Sequence, residues 1–407
     1  MTTILLKNCR YVITQNEKRE VLENASVLIE GNLIKEVNTS VEEADEVIDC
    51  SNFALMPGLI NMHTHSGMGL LKGVAEDLPF FQWLDKLIKK EALLKKKDFY
   101  KGSLLSCREM IRTGTTAFND MYSDLEQTAK AVEETGLRAY LSWGIVDEDK
   151  TNQEGNPLEN AEQFIKDNQG KELIKPAAGP HAIYSTKPEL IKQSKELADK
   201  YNTFMHIHAA ETRKEVSDCF KKYGKRVIEL LDEIGVLDEN TCLAHVGWIT
   251  KKEAKTIAEN KSTVTLNPTS NMKLGTGGNP PLPEMIEYGV NVTLGTDSTA
   301  SNNSLDMFEA IKYTALLQKH MRWDSGVITA QQVLDFATIN AAKFLKLNAG
   351  SIEEGKLADL ILIDLNEPVM QPVNSIIHNL VYSANGNCVD TVIINGKIVM
   401  KNKKLLF

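Results

Sequence analysis

The sequence predicts an α/β protein: a (β/α)8 TIM-like barrel with a small β-sandwich domain built from both chain termini. Three observations predict this fold. Apolar runs alternate with amphipathic helical segments through the middle of the chain, and strand-rich sequence recurs at both ends. The chain has 407 residues, enough for one large and one small domain. We expect residues 1–56 and 350–407 to form the β domain and residues 57–349 the barrel.

Both ends of the chain contain short strand-like runs separated by polar turns. The runs are Ile4–Leu6, Tyr11–Ile13, Ser26–Ile29, Ile34–Val37, Asp359–Ile363, Thr391–Ile394 and Lys397–Met400. The dipeptide Asn395-Gly396 predicts a tight hairpin turn between the last two. Because isolated hairpins are marginally stable, we expect the two terminal sets to pair into one domain.

Eight apolar runs are the predicted barrel strands, and each is followed by a helix or by a loop and a helix. They are Ala54–Met56, Thr115–Phe118, Arg138–Leu141, Ala177–Gly179, Thr203–His208, Cys242–His245, Thr263–Leu266 and Asn291–Gly295. In such barrels the functional side chains lie at the carboxyl ends of the strands.

Composition excludes several classes of protein. The formal net charge of -9 disfavours nonspecific binding to nucleic acid or to an anionic membrane. The six cysteines form no CxxC pair and are expected to be free thiols. The first residues are too polar for a signal peptide, and no uncharged apolar stretch reaches the roughly 18 residues of a membrane span. We therefore expect a cytoplasmic protein without membrane partners.

Histidines and acidic residues follow separate apolar runs, where barrel strands are predicted to end. His63 and His65 are two residues apart, so on a strand both can face one metal ion. The later members of this set are His206, His208, Glu211, His245 and Asp297. A lone His-x-His pair is more often structural, and Asp297 alone could cap a helix. The ordered combination favours a site for a divalent metal, with zinc, iron or manganese as candidates.

Several segments closely resemble the amidohydrolase superfamily, and within it the methylthioadenosine/S-adenosylhomocysteine deaminases. They are PGLINMHTHSGM, HIHAAET, AHVGW, NPTSNMKLG and LGTDSTASNNSLDMFE, and the resemblance covers essentially the whole chain. It implies one divalent ion per subunit, with zinc expected. The implied ligands are His63, His65, His208 and Asp297. His206 lies one step deeper on its strand and is expected to pack.

The resemblance also implies catalytic roles in replacing an exocyclic amine of a purine by oxygen. Asp297 would take a proton from the attacking water, and His245 would orient that water. Glu211 would donate a proton to the ring nitrogen beside the attacked carbon, and ammonia would leave. No lysine ends the fourth predicted strand, where binuclear relatives carry one; Lys175 precedes that strand and is expected at the surface.

The implied substrate-binding residues have alternatives. His181 would lie near the sugar and Ser301 near the base edge. Glu91 would accept hydrogen bonds from the ribose hydroxyls, although its spacing from Trp83 is one residue shorter than in the family, so a helix-surface charge is equally compatible. Trp83 would be either an apolar wall of the pocket or a core residue.

The sequence departs from the family pattern in the residues that would bind the 5′ group of the substrate. Members that act on homocysteine-bearing substrates hold the carboxylate with arginines, but no arginine lies between Arg138 and Arg213. Trp143 would offer apolar surface instead. Because a bidentate carboxylate partner is missing, we expect a preference for adenosine derivatives with small or apolar 5′ groups.

Two other functions stay open at this point. One is another reaction on the same metal site: deamination of guanine, a pterin or cytosine, or dechlorination of a triazine. The other is a nonenzymatic metal- or ligand-binding barrel, which the presence of both Glu211 and Asp297 disfavours. The expected partner is a small purine nucleoside, with no nucleic acid. The sequence does not decide between a monomer and a homo-oligomer.

Overall fold

The computed structural model describes residues 2–151 and 153–407, and its strands lie in two sheets of eight and nine strands. The strands are β1 (Thr3–Ile13), β2 (Val21–Glu30), β3 (Leu33–Val37), β4 (Glu46–Asp49), β5 (Phe53–Pro57), β6 (Leu59–Thr64), β7 (Thr115–Tyr122), β8 (Arg138–Ile145), β9 (Ile174–Pro180), β10 (Met205–Ala209), β11 (Thr241–His245), β12 (Thr263–Leu266), β13 (Asn291–Leu294), β14 (Leu360–Asp364), β15 (Val389–Ile394), β16 (Lys397–Lys401) and β17 (Lys404–Leu405).

The helices lie mainly between the strands of the eight-stranded sheet. They are α1 (Phe80–Glu91), α2 (Lys96–Arg112), α3 (Leu125–Thr135), α4 (Pro157–Asn168), α5 (Pro188–Lys200), α6 (Arg213–Tyr223), α7 (Val227–Glu233), α8 (Lys251–Glu259), α9 (Pro268–Lys273), α10 (Leu282–Glu287), α11 (Met307–Arg322), α12 (Ala330–Phe336), α13 (Ile339–Phe344) and α14 (Ile376–Tyr382). In the described part of the chain, no helix has the length and apolar character that crossing a membrane requires.

The eight-stranded sheet is a parallel barrel that runs in chain order from β6 to β13. Its first and last strands meet at a seam that side chains help to close. The Asn61 amide donates to Thr296 Oγ1 at 2.7 Å, and the Thr296 N–H donates to Asn61 Oδ1 at 3.1 Å. The Asp297 N–H donates to the His63 carbonyl at 2.9 Å. The seam therefore brings two predicted metal ligands together.

The nine-stranded sheet contains strands from both termini, as predicted. Its order is β17-β16-β15-β14-β5-β1-β2-β3, with β4 beside β1. Buried side chains from both ends of the chain, including Leu6, Val27 and Leu362, share one apolar core. The predicted hairpin turn lies between β15 and β16, where Asn395 and Gly396 have φ of 52° and 71°.

One predicted barrel strand is wrong. Ala54–Met56 lies in β5, which pairs antiparallel with β14 and parallel with β1 in the terminal sheet. The first barrel strand is instead Leu59–Thr64. Gly58 separates these two apolar runs, and apolar character alone does not reveal which sheet each run joins. The other seven predicted strands each overlap one barrel strand. All six cysteines are free, as predicted, and all six are buried.

Candidate active site

Six of the polar residues selected from the sequence meet at the carboxyl ends of the barrel strands. They are His63 on β6 and His65 just after it, His208 on β10, Glu211 after β10, His245 at the end of β11 and Asp297 after β13. Parallel strands end at the same rim of a barrel, so residues far apart in the chain become neighbours there.

The nitrogen and oxygen atoms of this cluster have the spacing of ligands around one ion. His65 Nε2 lies 3.3 Å from Asp297 Oδ1 and 3.3 Å from His208 Nε2, and His63 Nε2 lies 3.7 Å from Asp297 Oδ1. Ligands on a tetrahedral zinc ion, at about 2.0–2.1 Å from it, are about 3.4 Å from one another. The four residues therefore fit a single divalent cation.

Hydrogen bonds to the other ring nitrogens orient three of the histidines. The Nδ1–H of His65 donates to the Met121 carbonyl at 2.5 Å, and that of His208 to the His181 carbonyl at 2.9 Å. The Nδ1–H of His245 donates to Asn271 Oδ1 at 2.8 Å. Each Nε2 is left facing the cluster, as in metal sites whose ligands are held by outer partners.

His63 Nε2 also faces the cluster, and it has no hydrogen-bond partner although the side chain is fully buried. A buried polar atom without a partner is costly unless it binds a ligand. This atom therefore supports the fit of a cation to the four residues.

Electrostatics favours the protonation state that a metal requires in His63, His208 and Asp297 but not in His65. Burial lowers the pKa of His63 and His208 well below the ordinary value. Burial would also lower the pKa of His65, but its hydrogen bond to Asp297 and the charge of Asp297 raise it to about 9. Burial opposes ionisation of Asp297, yet the hydrogen bond and charge of His65 hold its pKa well below its usual range. The ionised carboxylate can therefore attract a cation, which would replace the proton of His65.

Glu211 lies beside His245, with 3.9 Å between its Oε1 and His245 Nδ1. The side chain is buried, and burial raises its pKa, which favours the protonated acid. Glu215 holds the preceding turn, because its carboxylate accepts the N–H groups of Ala210 at 3.2 Å and of Glu211 at 2.8 Å. Sequence reasoning missed Glu215, although Thr212 followed by Glu215 is a capping-box pattern at the start of α6.

A cavity of about 590 Å³ opens onto this cluster. His65, His208, Glu211, His245 and Asp297 line one part of it. The predicted substrate residues Trp83, Glu91 and His181 line it too, so the structure brings them together with the metal ligands. Glu91 accepts a hydrogen bond from the Tyr122 hydroxyl, and burial raises the pKa of its carboxyl. Glu91 is half-buried, and its place in the cavity wall supports the pocket alternative over the solvated surface charge.

Two predicted substrate residues do not line the cavity. Trp143 packs against Phe164 of α4, with ring centroids 5.3 Å apart, and its indole N–H donates to Gln153 Oε1 at 2.9 Å. Gln153 lines the cavity in its place. Ser301 is buried behind Ser298, to whose carbonyl its hydroxyl donates at 3.2 Å. In both cases the side chain lies behind a neighbour that faces the cavity.

The two residues that were expected to stay outside the ligand set do so in different ways. Lys175 is exposed and donates to the Lys171 carbonyl, as a surface residue would. His206 is fully buried, as expected, but its Nε2 lies 3.0 Å from His63 Nδ1. It therefore contacts a ligand directly rather than only filling space.

Comparisons with known proteins agree with this architecture. The amidohydrolase family model matches residues 54–399. A 5'-deoxyadenosine deaminase from Methanosphaera stadtmanae is 44% identical over 100% of this chain and 95% of its own length. A 5-methylthioadenosine/S-adenosylhomocysteine deaminase from Thermococcus sibiricus is 44% identical over 98% of this chain and 94% of its own.

A solved structure is similar over nearly the whole chain. The zinc-bound crystal structure of an adenosine deaminase from Xanthomonas campestris has a TM-score of 0.95 and 31% identity, covering 99% of this chain and 94% of the other. The family match, the full-length relatives and the barrel with its histidine and aspartate cluster lead to one conclusion. This chain belongs to the amidohydrolase family.

Proposed function

We propose that this protein is a zinc-dependent deaminase of adenine nucleosides with small or apolar 5′ groups: 5′-methylthioadenosine, 5′-deoxyadenosine or adenosine. One observation carries the proposal. The ligand cluster, Glu211 and His245 border the same cavity as Glu91 and His181. The cavity thus combines groups for hydrolysis with polar groups for a sugar. The relatives named as 5'-deoxyadenosine and methylthioadenosine/S-adenosylhomocysteine deaminases support this substrate class.

The reaction exchanges the exocyclic amine at C6 for oxygen, with water consumed and ammonia released. A divalent ion bound by His63, His65, His208 and Asp297 would supply Lewis acidity and lower the pKa of a water molecule. Glu211, whose pKa is raised by burial, donates to the ring nitrogen next to C6 as the water adds. Asp297, kept ionised, accepts one proton from the water and passes it to the departing amine, which leaves as ammonia. The second water proton restores Glu211.

His245 positions the attacking water. Because its Nδ1–H donates to Asn271 Oδ1, the lone pair on Nε2 is directed into the cavity. That lone pair can accept a hydrogen bond from the water and orient it toward C6. Glu91 and His181 also line the cavity, and they would bind the ribose.

The cavity offers few lysine or arginine side chains to a substrate carboxylate. Among the residues that the structure describes, Lys150 is the one lysine or arginine lining the cavity. Its ammonium already donates to the Tyr184 carbonyl at 3.1 Å and lies 3.6 Å from Asp147 Oδ2. Since Lys150 is already paired, we still propose weaker binding of a homocysteine carboxylate.

The test is ammonia release by the zinc-reconstituted protein from adenine nucleosides, guanine and a pterin. We expect kcat/KM for methylthioadenosine or 5′-deoxyadenosine to exceed that for S-adenosylhomocysteine by about tenfold or more, the equivalent of about 1.4 kcal/mol. Equal values would contradict the 5′ preference. Activity on only guanine or a pterin would contradict the nucleoside pocket.

Lys150→Met is the matched control for the 5′ preference. If Lys150 does not bind the substrate carboxylate, the ratio of the two kcat/KM values stays within about twofold of wild type. A selective fall for S-adenosylhomocysteine would instead identify Lys150 as a carboxylate-binding residue.

A further inference from the structure

We infer that His206 and Asn119 are positioning residues that fix the ring of the metal ligand His63. This inference rests on the proposed metal site. His206 Nε2 lies 3.0 Å from His63 Nδ1, and His206 Nδ1 lies 3.1 Å from Asn119 Nδ2. Asn119 also donates to the Met62 carbonyl at 3.1 Å and accepts from the Ser142 hydroxyl at 3.2 Å. The Asn119 amide N–H donates to His206 Nδ1, so the His206 proton lies on Nε2 and donates to His63 Nδ1. A cation at His63 Nε2 would therefore replace the proton of that atom.

This series of hydrogen-bonded side chains crosses the inside of the barrel. Its side chains come from β6, β7, β8 and β10, and all four are fully buried. Burying four polar side chains costs free energy unless their hydrogen bonds are made, and an apolar residue would fill the same space without that cost. The cost indicates that these four side chains have a role besides packing.

His63 differs from the other histidines of the cluster in what holds it. His65 and His208 donate to backbone carbonyls, and His245 donates to an asparagine amide oxygen. His63 has an imidazole as its outer partner, which itself needs a support. Asn119 supplies that support and is held on its other side by Met62 and Ser142. Removing His206 or Asn119 should therefore let the His63 ring rotate away from the geometry that a cation requires.

Two substitutions of His206 separate hydrogen bonding from packing. His206→Phe keeps an aromatic ring and removes both ring nitrogens, whereas His206→Gln keeps a polar group near the position of Nε2. We would measure zinc affinity by competition with a chromophoric chelator, and the visible absorption spectrum of the cobalt-substituted proteins. We expect zinc binding to weaken about 10–100-fold in His206→Phe, with an altered cobalt spectrum, and His206→Gln to recover most of the affinity.

Asn119→Leu tests the same series of hydrogen bonds one residue farther from the metal. It replaces His206→Phe as the test if that variant does not fold. We expect weaker zinc binding there too, by about tenfold. Thr265→Val is the matched control, because it removes a buried hydroxyl that bonds Thr293 at 2.8 Å in the barrel and touches no ligand. Its zinc affinity should equal that of wild type.

The outcomes distinguish this inference from the proposed function. If folded His206→Phe and Asn119→Leu bind zinc as tightly as wild type, with unchanged cobalt spectra, the positioning role is wrong. If Thr265→Val loses as much affinity as they do, the effect is general destabilisation and the inference also fails. If wild-type protein itself binds no zinc, the proposed function fails instead.

Discussion

Two buried polar networks at opposite ends of the barrel differ in whether their hydrogen bonds are complete. At the amino end of β8, Arg138 is paired with Asp359 at 2.9 Å and 3.2 Å, and the Asn395 N–H donates to the same carboxylate at 2.6 Å. At the carboxyl ends, His63 Nε2 has no partner. Backbone φ is positive at Ala210, His245 and Asp297, with values of 51°, 74° and 61°.

The difference separates a structural network from a functional one. A buried network whose hydrogen bonds are all made holds the barrel to the terminal sheet. A network with an unpartnered buried nitrogen and a strained backbone can bind something else, and such strain persists only where the surrounding fold enforces it. The four predictions that follow test this contrast, from the largest expected effect to the smallest.

Glu211→Gln should give the largest effect, at the carboxyl end. The amide cannot transfer a proton to the substrate ring, so we expect kcat to fall about 10²–10⁴-fold. Steady-state ammonia release measures this. Zinc content and the thermal midpoint should stay at wild-type values, and Glu189→Gln, an exposed acid on α5, is the control. Near-normal turnover would rule out Glu211 as the acid.

Arg138→Met should give the opposite pattern at the amino end. It leaves Asp359 buried with its charge unpaired, so we expect the free energy of unfolding to drop by about 3–5 kcal/mol. Urea denaturation measures the loss, and kcat of the remaining folded protein should be unchanged. The double variant Arg138→Met/Asp359→Leu should regain part of the stability. A fall in kcat without loss of stability would contradict the contrast.

The pH profile should show the protonation state of Glu211. Burial raises its pKa above the ordinary 4.5, and the reaction uses the protonated form. Activity that depends on this proton is therefore fully present below the folded pKa and falls as the pH rises through it. The measurement is kcat against pH for the zinc-loaded protein. An activity that only increases with pH would contradict the role of Glu211 as a proton donor.

Trp143→Phe should have the smallest effect. The indole contacts Phe164 and Gln153 rather than the cavity, so KM for methylthioadenosine should stay within about twofold of wild type. Loss of the indole hydrogen bond should cost about 1 kcal/mol of stability. Thermal unfolding and initial rates measure the two quantities. A large rise in KM with unchanged stability would return Trp143 to the substrate pocket.

Most of the site could be predicted because it depends on chain order rather than on side-chain direction. His63, His208 and His245 lie at strand ends, and a barrel brings strand ends together whatever the details of packing. Residues on a strand, or behind a loop, were harder to place. β8 is buried along its whole length, so no alternation of polar and apolar residues showed which way Trp143 points.

The hydrogen bond between His206 and Asn119 could not be predicted from the sequence for a related reason. The two residues are 87 positions apart, and neither strand pattern indicates a contact between them. Similarly, Ala54–Met56 and Leu59–Thr64 are adjacent apolar runs, and only their pairing partners show that they belong to different sheets. Long-range pairing, rather than local propensity, decided each of these points.

The seam between β6 and β13 has a consequence for folding. His63 and Asp297 lie on opposite sides of it. Two of the hydrogen bonds that close it, from Asn61 to Thr296 and from Thr64 to Asp297, join residues 235 and 233 positions apart. Joining such distant segments costs chain entropy, which grows only slowly with loop length but must be overcome before the barrel closes. A cation bound by both residues adds its binding energy to that closure, about 4 kcal/mol at a thousandfold excess over its Kd. Loss of the ion should therefore open the barrel first along this seam, and amide hydrogens of β6 and β13 should exchange sooner than those of β8 and β9.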